Sequence, residues 1–248
     1  MMVQFAAGLL LASFVFGPAL AEDGEVRPPK VTYPKLPAKA ASVRAFVPKG
    51  WTVEAKAKGD LNRDGRADAV MVLRQTSPRN VIRPYSSDPK ITLDTNPRMI
   101  AVVFAGAAGE PWRLAAENHV LIPRDEEPSL RDTFEDGLSI ENGAFRIELQ
   151  FSADAHWNPS FTFRYEQGRF DLVRYQRYSR HRFTAEVKEI DADYVKGEVR
   201  IERSSDEEPD KPPTIEVKPL PKAPRPTLAS IGDATDFDPL PEPPAKEE

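Results

Sequence analysis

The chain has 248 residues, of which 40% are hydrophobic and 29% are charged, and its formal net charge is -5 at pH 7. This length predicts one medium-sized domain, or two small ones, with a substantial core. The acidic balance argues against a dedicated nucleic-acid-binding protein, and the absence of cysteine excludes disulfides, thiolate zinc sites and cysteine nucleophiles.

The N-terminus has the pattern of a secretory signal peptide, expected over residues 1–21. Phe5–Phe16 is an apolar run that is too short for a membrane-spanning helix, which needs about 20 residues. Ala19 and Ala21 place small residues at the -3 and -1 positions of a signal-peptidase site, and Glu22 follows. The pattern departs from a usual signal because no Lys or Arg precedes the apolar run. We therefore expect a periplasmic or secreted protein with no transmembrane segment in its mature chain.

Residues 22–39 are rich in proline and charge and are expected to form an extended lead-in. The apolar spacing in Ala40–Val47 predicts one short helix, which Pro48–Gly50 ends. Its apolar side is expected to consist of Val43, Phe46 and Val47. The folded domain is predicted over residues 40–203.

Most of that domain carries the patterns of β-strands joined by tight turns. Strict alternation in Ala144–Ser152 predicts a strand with one buried face, and Asn142-Gly143 predicts a type I′ turn that pairs Ile140 with Phe145. A shift of apolar phase at Val173 suggests a β-bulge. Other segments with strand patterns are Ala69–Leu73, Met99–Ala105, Trp112–Glu117, Phe161–Tyr165, Ile190–Val195 and Glu198–Glu202. Lys196-Gly197 is expected to join the last two, with Asp193 opposite Arg200.

The fold class expected from these patterns is mainly β. Antiparallel hairpins or a meander are expected to form either a sandwich or an open twisted sheet. Residues 204–248 are acidic and rich in proline, which excludes a central strand or a long helix and predicts an extended or disordered tail. The tail residues expected to dock back onto the domain are Leu228, Ile231 and Phe237.

One loop, residues 60–68, places oxygen ligands at the alternating positions of a calcium loop. Gly65 stands at position 6, where such a loop turns sharply, but Met71 stands at position 12, where an EF-hand needs glutamate. The expected ligands are Asp60, Asn62, Asp64, the carbonyl of Arg66, and Asp68. The sequence thus predicts a calcium site outside the EF-hand class, with weak affinity of about 10⁻⁴ M. The alternative is a polar Asp-Gly turn without an ion.

The loop, together with the apolar Ala69–Leu73 that follows it, resembles the FG-GAP/VCBS repeat. In that family the loop lies between strands, and the calcium ion pins their connection. The wider chain resembles small exported bacterial proteins that carry a single such repeat, a resemblance that implies no activity. The residues of that wider resemblance are Pro48–Trp51, Leu93–Arg98 and Phe163–Phe170. A closed propeller needs several loop-bearing blades and is not expected from one complete loop.

Two further groups have both a functional and a structural interpretation. His156-Trp157-Asn158, expected in a loop, has the chemistry to stack on a sugar, but packing at the sheet edge is favoured. A basic stripe interleaves with Tyr175 and Tyr178, and we favour a solvated strand face paired with acidic residues over an anion-binding surface. The basic residues of this stripe are Arg174, Arg177, Arg180, His181 and Arg182.

The third group is an acidic cluster within residues 125–136. It is expected on the surface, with a second ion site as one alternative and a pair of hydrolytic carboxylates as another. The members are Asp125, Glu126, Glu127, Asp132, Glu135 and Asp136.

The favoured functional expectation is an exported, calcium-stabilised β-domain that acts as a non-enzymatic binding or envelope-associated module. Its partner is expected in the envelope or outside the cell, and nucleic acid is not expected. The alternative is a hydrolase of a surface or extracellular polymer that uses the 125–136 carboxylates with His156 or His119. Convergence of those carboxylates and a histidine in one pocket would favour the hydrolase.

Overall fold

A computed structural model describes residues 28–83, 92–125, 132–135, 137–152 and 155–241. The predicted signal peptide, and the acidic residues Glu126, Glu127 and Asp136, lie outside these ranges. In the described residues, the helical segments are two short 3-10 turns, Val43–Phe46 and Pro78–Asn80. No helix among them has the length and apolar character to cross a membrane.

The prediction of a mainly β, antiparallel fold is confirmed. The described strands are β1 (Lys39–Ala40), β2 (Trp51–Gly59), β3 (Asp68–Gln75), β4 (Val81–Ile82), β5 (Leu93–Asp94), β6 (Arg98–Phe104), β7 (Trp112–Asn118), β8 (Leu138–Glu141), β9 (Ala144–Glu148), β10 (Phe151–Ser152), β11 (Ala155–Glu166), β12 (Arg169–His181), β13 (Glu186–Asp193), β14 (Glu198–Ser205) and β15 (Thr214–Pro219).

These strands form two main sheets and one small ribbon. The smaller main sheet has five strands in the order β1-β7-β6-β3-β2. The larger has eight strands, in the order β15-β14-β13-β12-β11-β9-β8 with β10 paired to β11. β4 and β5 form the separate ribbon. One apolar cluster contains residues from both main sheets, so the sheets pack face to face and share a core.

Turn chemistry and alternation set the hairpins of the larger sheet. Asn142 and Gly143 both have positive φ, 51° and 74°, as a type I′ turn requires, and Ile140 pairs with Phe145 as predicted. The predicted bulge is also confirmed, because the β11–β12 register shifts where Val173 lies. The predicted partner of Asp193 was wrong. Asp193 faces Glu198, because the connecting turn spans residues 194–197 and is longer than a two-residue hairpin turn.

The central strands of the smaller sheet, β3 and β6, are buried on both faces. One face packs in the core shared with the larger sheet, and the other lies against the N-terminal segment. In that segment Leu36 and Phe46 are 3% and 0% exposed. The segment from 40 to 47 contains a single 3-10 turn where one short helix was predicted, because β1 occupies its start and Pro48 follows its end.

The tail was predicted to be extended or disordered, and its described part, residues 204–241, packs on the domain. It contributes β15 to the larger sheet, and it then crosses the core face of that sheet. Leu228 and Ile231 are buried, and the Phe237 ring lies 4.8 Å from the ring of Tyr175, so the expected docking of these residues is confirmed. The prolines prevent a helix but allow extended chain. This extended chain covers apolar surface of the larger sheet that the five-stranded sheet does not cover.

Candidate metal centre and a buried charge cluster

The predicted calcium loop connects β2 to β3 at the side of the smaller sheet that meets the larger one. Gly59 and Asp68 face each other across the start of the loop, and Leu61 is 1% exposed and packs in the shared core. A Cβ on Gly59 would meet the Ile140 side chain at 2.5 Å, so glycine allows β8 to lie this close to β2. The loop is therefore fixed at both ends by the fold.

Three of the predicted ligands are linked by hydrogen bonds on the exposed part of the loop. The carboxylate of Asp60 accepts the N–H groups of Asp64 and Gly65 at 3.1 and 2.9 Å. The side-chain oxygen of Asn62 accepts the Asp64 N–H at 3.1 Å, and its Nδ2 donates to Asp64 Oδ2 at 2.8 Å. Gly65 has a φ of +82°, in the left-handed region, which supports the glycine expected at this position.

Arg66 takes part in the loop in two ways. Its N–H donates to Asp64 Oδ1 at 3.0 Å, and its guanidinium pairs with the same carboxylate. The guanidinium also donates from Nε to the carbonyl of Ala105 at 3.1 Å. An ion bound by Asp64 would therefore compete with this guanidinium.

Asp68 has a different role from the other acidic residues of the loop. It is fully buried, and its Oδ2 accepts the N–H groups of Leu61 at 2.9 Å and Asn62 at 3.4 Å, while its Oδ1 accepts the Ala105 N–H at 2.9 Å. Burial raises the pKa of Asp68, although the backbone hydrogen bonds act in the opposite direction. The carboxylate thus ties the loop to the end of β6.

The loop fits calcium well in donor chemistry and only in part in geometry. Carboxylate, amide and carbonyl oxygens are the ligands that calcium prefers. Within the described ranges, however, no group of three or more Asp, Glu, His or Cys side chains is placed to hold a metal ion. Both oxygens of Asp68 accept backbone N–H groups, and the guanidinium of Arg66 pairs with Asp64.

A second polar site surrounds Arg98 on β6, which is 1% exposed. Its Nε donates to Glu54 Oε2 at 2.7 Å, and its Nη2 donates to both oxygens of Asp132 at 2.6 Å. Its Nη1 lies 3.6 Å from Asp125 Oδ2 and has no hydrogen-bond acceptor among the described residues. Burial alone would lower the pKa of Arg98, but the carboxylates of Glu54 and Asp132 raise it above its ordinary value.

Arg74 on β3 extends this cluster toward the surface. It lies 3.1 Å from a carboxylate oxygen of Glu54 and of Asp94, and 3.3 Å from one of Asp132. Asp125 accepts the hydroxyl of Thr133 at 2.8 Å, and burial, followed by the nearby charge of Asp132, raises the pKa of Asp125. Of the acidic residues in the 125–136 segment, Asp125 lies against the buried Arg98, and Asp132 pairs with both Arg98 and Arg74.

The histidines considered for hydrolysis lie in other contacts. His119 stacks on Tyr33 with ring centroids 4.5 Å apart, and its Nε2 is 3.8 Å from Glu117 Oε2. His156 lies in β11 opposite Arg180. No contact of the described residues joins either histidine to Asp125 or Asp132 in one pocket.

The His156 group follows its structural interpretation, and the basic stripe does so only in part. His156-Trp157-Asn158 lies in β11 and not in a loop, and Trp157 stacks on Phe151 at 5.2 Å. The basic stripe is divided between the faces of β12. Tyr175 is buried in the core, whereas Arg174 donates from Nε to Asp191 of the neighbouring strand at 2.8 Å.

Comparisons of the chain with protein-family models, curated proteins and solved structures found no match. Function is therefore inferred from the residues of this chain.

Proposed function

We propose that this chain is an exported β-domain whose loop at residues 60–68 binds calcium, and that it acts as a non-enzymatic binding or envelope-associated module. The observation that supports the ion is the hydrogen-bonded gathering of Asp60, Asn62 and Asp64 in one exposed loop between two core strands. These groups offer oxygen atoms to solvent at alternating positions, the pattern that hard cations prefer.

The proposed ligands are the side chains of Asp60, Asn62 and Asp64 and the carbonyl of Arg66. An ionised carboxylate has about four lone-pair sites, and Asp68 uses three of them for backbone N–H groups. Asp68 therefore contributes at most one further site, while its main role is to hold the loop closed. When bound, the ion supplies positive charge that offsets the repulsion among the loop carboxylates.

We expect weak binding. The guanidinium of Arg66 already pairs with Asp64. Calcium must displace this ion pair before Asp64 can bind it fully, and this competition lowers the affinity. Weak affinity, of about 10⁻⁴ M, is typical of extracellular calcium modules, where the ion is abundant and stabilises structure. This affinity agrees with the export that the N-terminal sequence predicts.

The non-enzymatic assignment is supported by the way the described carboxylates are used. Asp132 is held by two arginines, and Asp125 lies against one of them. A general acid and base must be free to exchange protons with a substrate, whereas these groups balance buried positive charge. The hydrolase alternative stays a prediction without a supporting contact.

Calorimetric melting of the purified protein in calcium and in chelator tests the proposal. If the dissociation constant is about 10⁻⁴ M, calcium at a concentration about a hundred times this constant stabilises the folded state by about 2.7 kcal/mol. For a domain of this size, the melting temperature should then rise by roughly 5–10 °C. Asp64→Ala should abolish the rise.

The matched control is Asp233→Ala. Asp233 also accepts a local backbone N–H, that of Thr235 at 2.8 Å, but it lies outside the loop. This variant should keep the full response to calcium. A wild-type protein that melts at the same temperature in excess calcium and in chelator would show that the loop is a turn without an ion.

A further inference from the structure

The edge strand of the larger sheet, β15, carries an inverted pattern of side chains. Ile215 and Val217 are 52% and 59% exposed. The charged residues Glu216 and Lys218 lie on the other face, because they stand opposite the buried residues of β14. An apolar pair on the solvent side of an edge strand is a liability unless another chain covers it.

The backbone of β15 also presents, in a defined order, groups that pair with no other strand of the described residues. Leu220 N–H donates to the Gly197 carbonyl at 2.9 Å, which fixes the alternation of hydrogen-bonded pairs along β14 and β15. Even-numbered residues of β15 therefore bond to β14, while Ile215 and Val217 direct their N–H and carbonyl groups away from the sheet. Pro219 occupies the next outward position, where its missing N–H costs no bond within the chain.

We propose that β15 pairs in antiparallel fashion with β15 of a second copy of this chain, about a two-fold axis at Val217. Val217 would then face Val217 of the second copy, and the two residues would exchange N–H and carbonyl groups. Ile215 N–H would donate to the Pro219 carbonyl of the second copy. The reverse bond does not form, because Pro219 has no N–H. The two eight-stranded sheets would become continuous.

The charges of β15 select this register and this occupant. With the axis at Val217, Glu216 stands opposite Lys218 of the second copy twice over, a favourable cross-strand pair. An axis at Glu216 would allow as many backbone bonds but would place Glu216 opposite itself, which is destabilising. The strand is therefore complementary to itself, as a symmetric dimer requires.

The proposed contact is small. Stable interfaces bury about 1,200–2,000 Å² in total and involve about 20–30 residues a side, whereas β15 has six residues. The dimer should therefore dissociate on dilution. It does not depend on the calcium loop, which lies between β2 and β3 of the smaller sheet.

Sedimentation velocity and amide hydrogen exchange by NMR test the dimer over a series of protein concentrations. The sedimenting mass should approach twice that of the monomer as concentration rises. The amides of Ile215 and Val217 should become protected over the same range, whereas those of Glu216 and Lys218 should be protected throughout. A constant monomer mass, with fast exchange of the first two amides at every concentration, would overturn the proposal.

Two sets of variants separate this contact from other association. Val217→Asp should give a monomer, because two like charges would meet on the axis. The fold itself should tolerate the change, because the new carboxylate lies opposite Arg200 within the chain. Val120→Asp, at a valine that is 52% exposed elsewhere, should leave the dimer unchanged. Equal effects of these two variants would contradict the assignment to β15.

The charge-swap set tests the register. Glu216→Lys and Lys218→Glu should each weaken the dimer, because each places like charges opposite one another across the axis and also breaks the pair of Lys218 with Glu216 within the strand, at 2.9 Å. The double variant should restore it. A double variant that stays as weak as either single variant would show that this register is wrong.

Discussion

The proposed calcium loop and the Arg98 cluster are both polar sites, but the chain builds them in opposite ways. The loop draws its oxygens from consecutive residues at positions 60–68, and its exposed hydrogen bonds run between neighbours. The cluster brings Glu54, Asp125 and Asp132 to Arg98 from segments far apart in the sequence. The loop is therefore a local, solvent-exposed site, whereas the cluster joins distant segments around a buried arginine.

This difference determines what each site can do. Exposed groups can exchange their partners for water or an ion at little cost, so the loop is free to respond to a ligand. Buried charges cannot lose a partner cheaply, because the remaining charge stays out of water. This difference agrees with the proposal that the loop binds a ligand, whereas the cluster stabilises the fold.

The largest expected effect comes from removing the buried cation. Arg98→Leu removes the buried guanidinium and leaves Arg74 as the cation beside Glu54 and Asp132. Breaking one partner of a buried ion pair typically costs 3–5 kcal/mol. Because both carboxylates are partly exposed and keep Arg74, we expect the free energy of unfolding in urea to fall by about 3 kcal/mol, the low end of that range.

Arg146→Leu is the matched control for this substitution. Arg146 pairs with Glu148 at 2.9 Å, but both side chains are nearly half exposed. Its loss should change the unfolding free energy by about 1 kcal/mol or less. If both variants lose the same amount, then the Arg98 cluster is no more important for stability than an exposed pair.

Sequence reasoning located the parts of the fold that short-range chemistry determines. The Asn142-Gly143 turn and the alternation after it predicted both a hairpin and its register, because a turn of that type allows one pairing. The docking of the tail was harder to predict. Proline content correctly excluded a helix, but burial of Leu228 depends on apolar surface of the larger sheet that only the assembled fold creates.

An intermediate effect is expected at the residue that joins the loop to the rest of the fold. Asp68→Asn replaces one carboxylate oxygen with an NH₂ group. The remaining oxygen can accept the N–H of Leu61 or that of Ala105, so one of these two donors loses its acceptor. An unsatisfied buried donor costs about 1–3 kcal/mol, and this loss should be present even in chelator. Asp64→Ala should differ from wild type mainly in calcium. If urea unfolding in chelator gives both variants the same loss, Asp68 has no special role as an anchor.

The candidate sites follow the same division between local and distant partners. The loop was predictable because all its proposed ligands lie within one short segment. The anchoring role of Asp68 was not, because its partner Ala105 is 37 residues away and contributes only a backbone N–H. Within the Arg98 cluster, the acidic residues near 125–136 were noticed, but Glu54 lies inside a strand pattern and carries no local signal of its partner.

The smallest effect concerns the pH dependence of stability within the cluster. Burial raises the pKa of Asp125 from its ordinary value of 3.8, so the folded state holds that proton more tightly than the unfolded state. The stability that protonation contributes is fully present below that value and is lost as the pH rises through the folded-state pKa. Asp125→Asn stays uncharged and can still accept the Thr133 hydroxyl. Relative to this variant, wild type should therefore become less stable between about pH 3.8 and neutral pH.

Urea unfolding of both proteins over this pH range measures the difference directly. Thr133→Val removes the hydroxyl that favours the charged carboxylate, so in that background the loss of stability with rising pH should be larger. The opposite trend, in which wild type gains on Asp125→Asn as the pH rises, would mean that attraction to Arg98 outweighs burial. Asp125 would then be a full ionic partner of the buried guanidinium, and the negative charge of the cluster would contribute to folding at neutral pH.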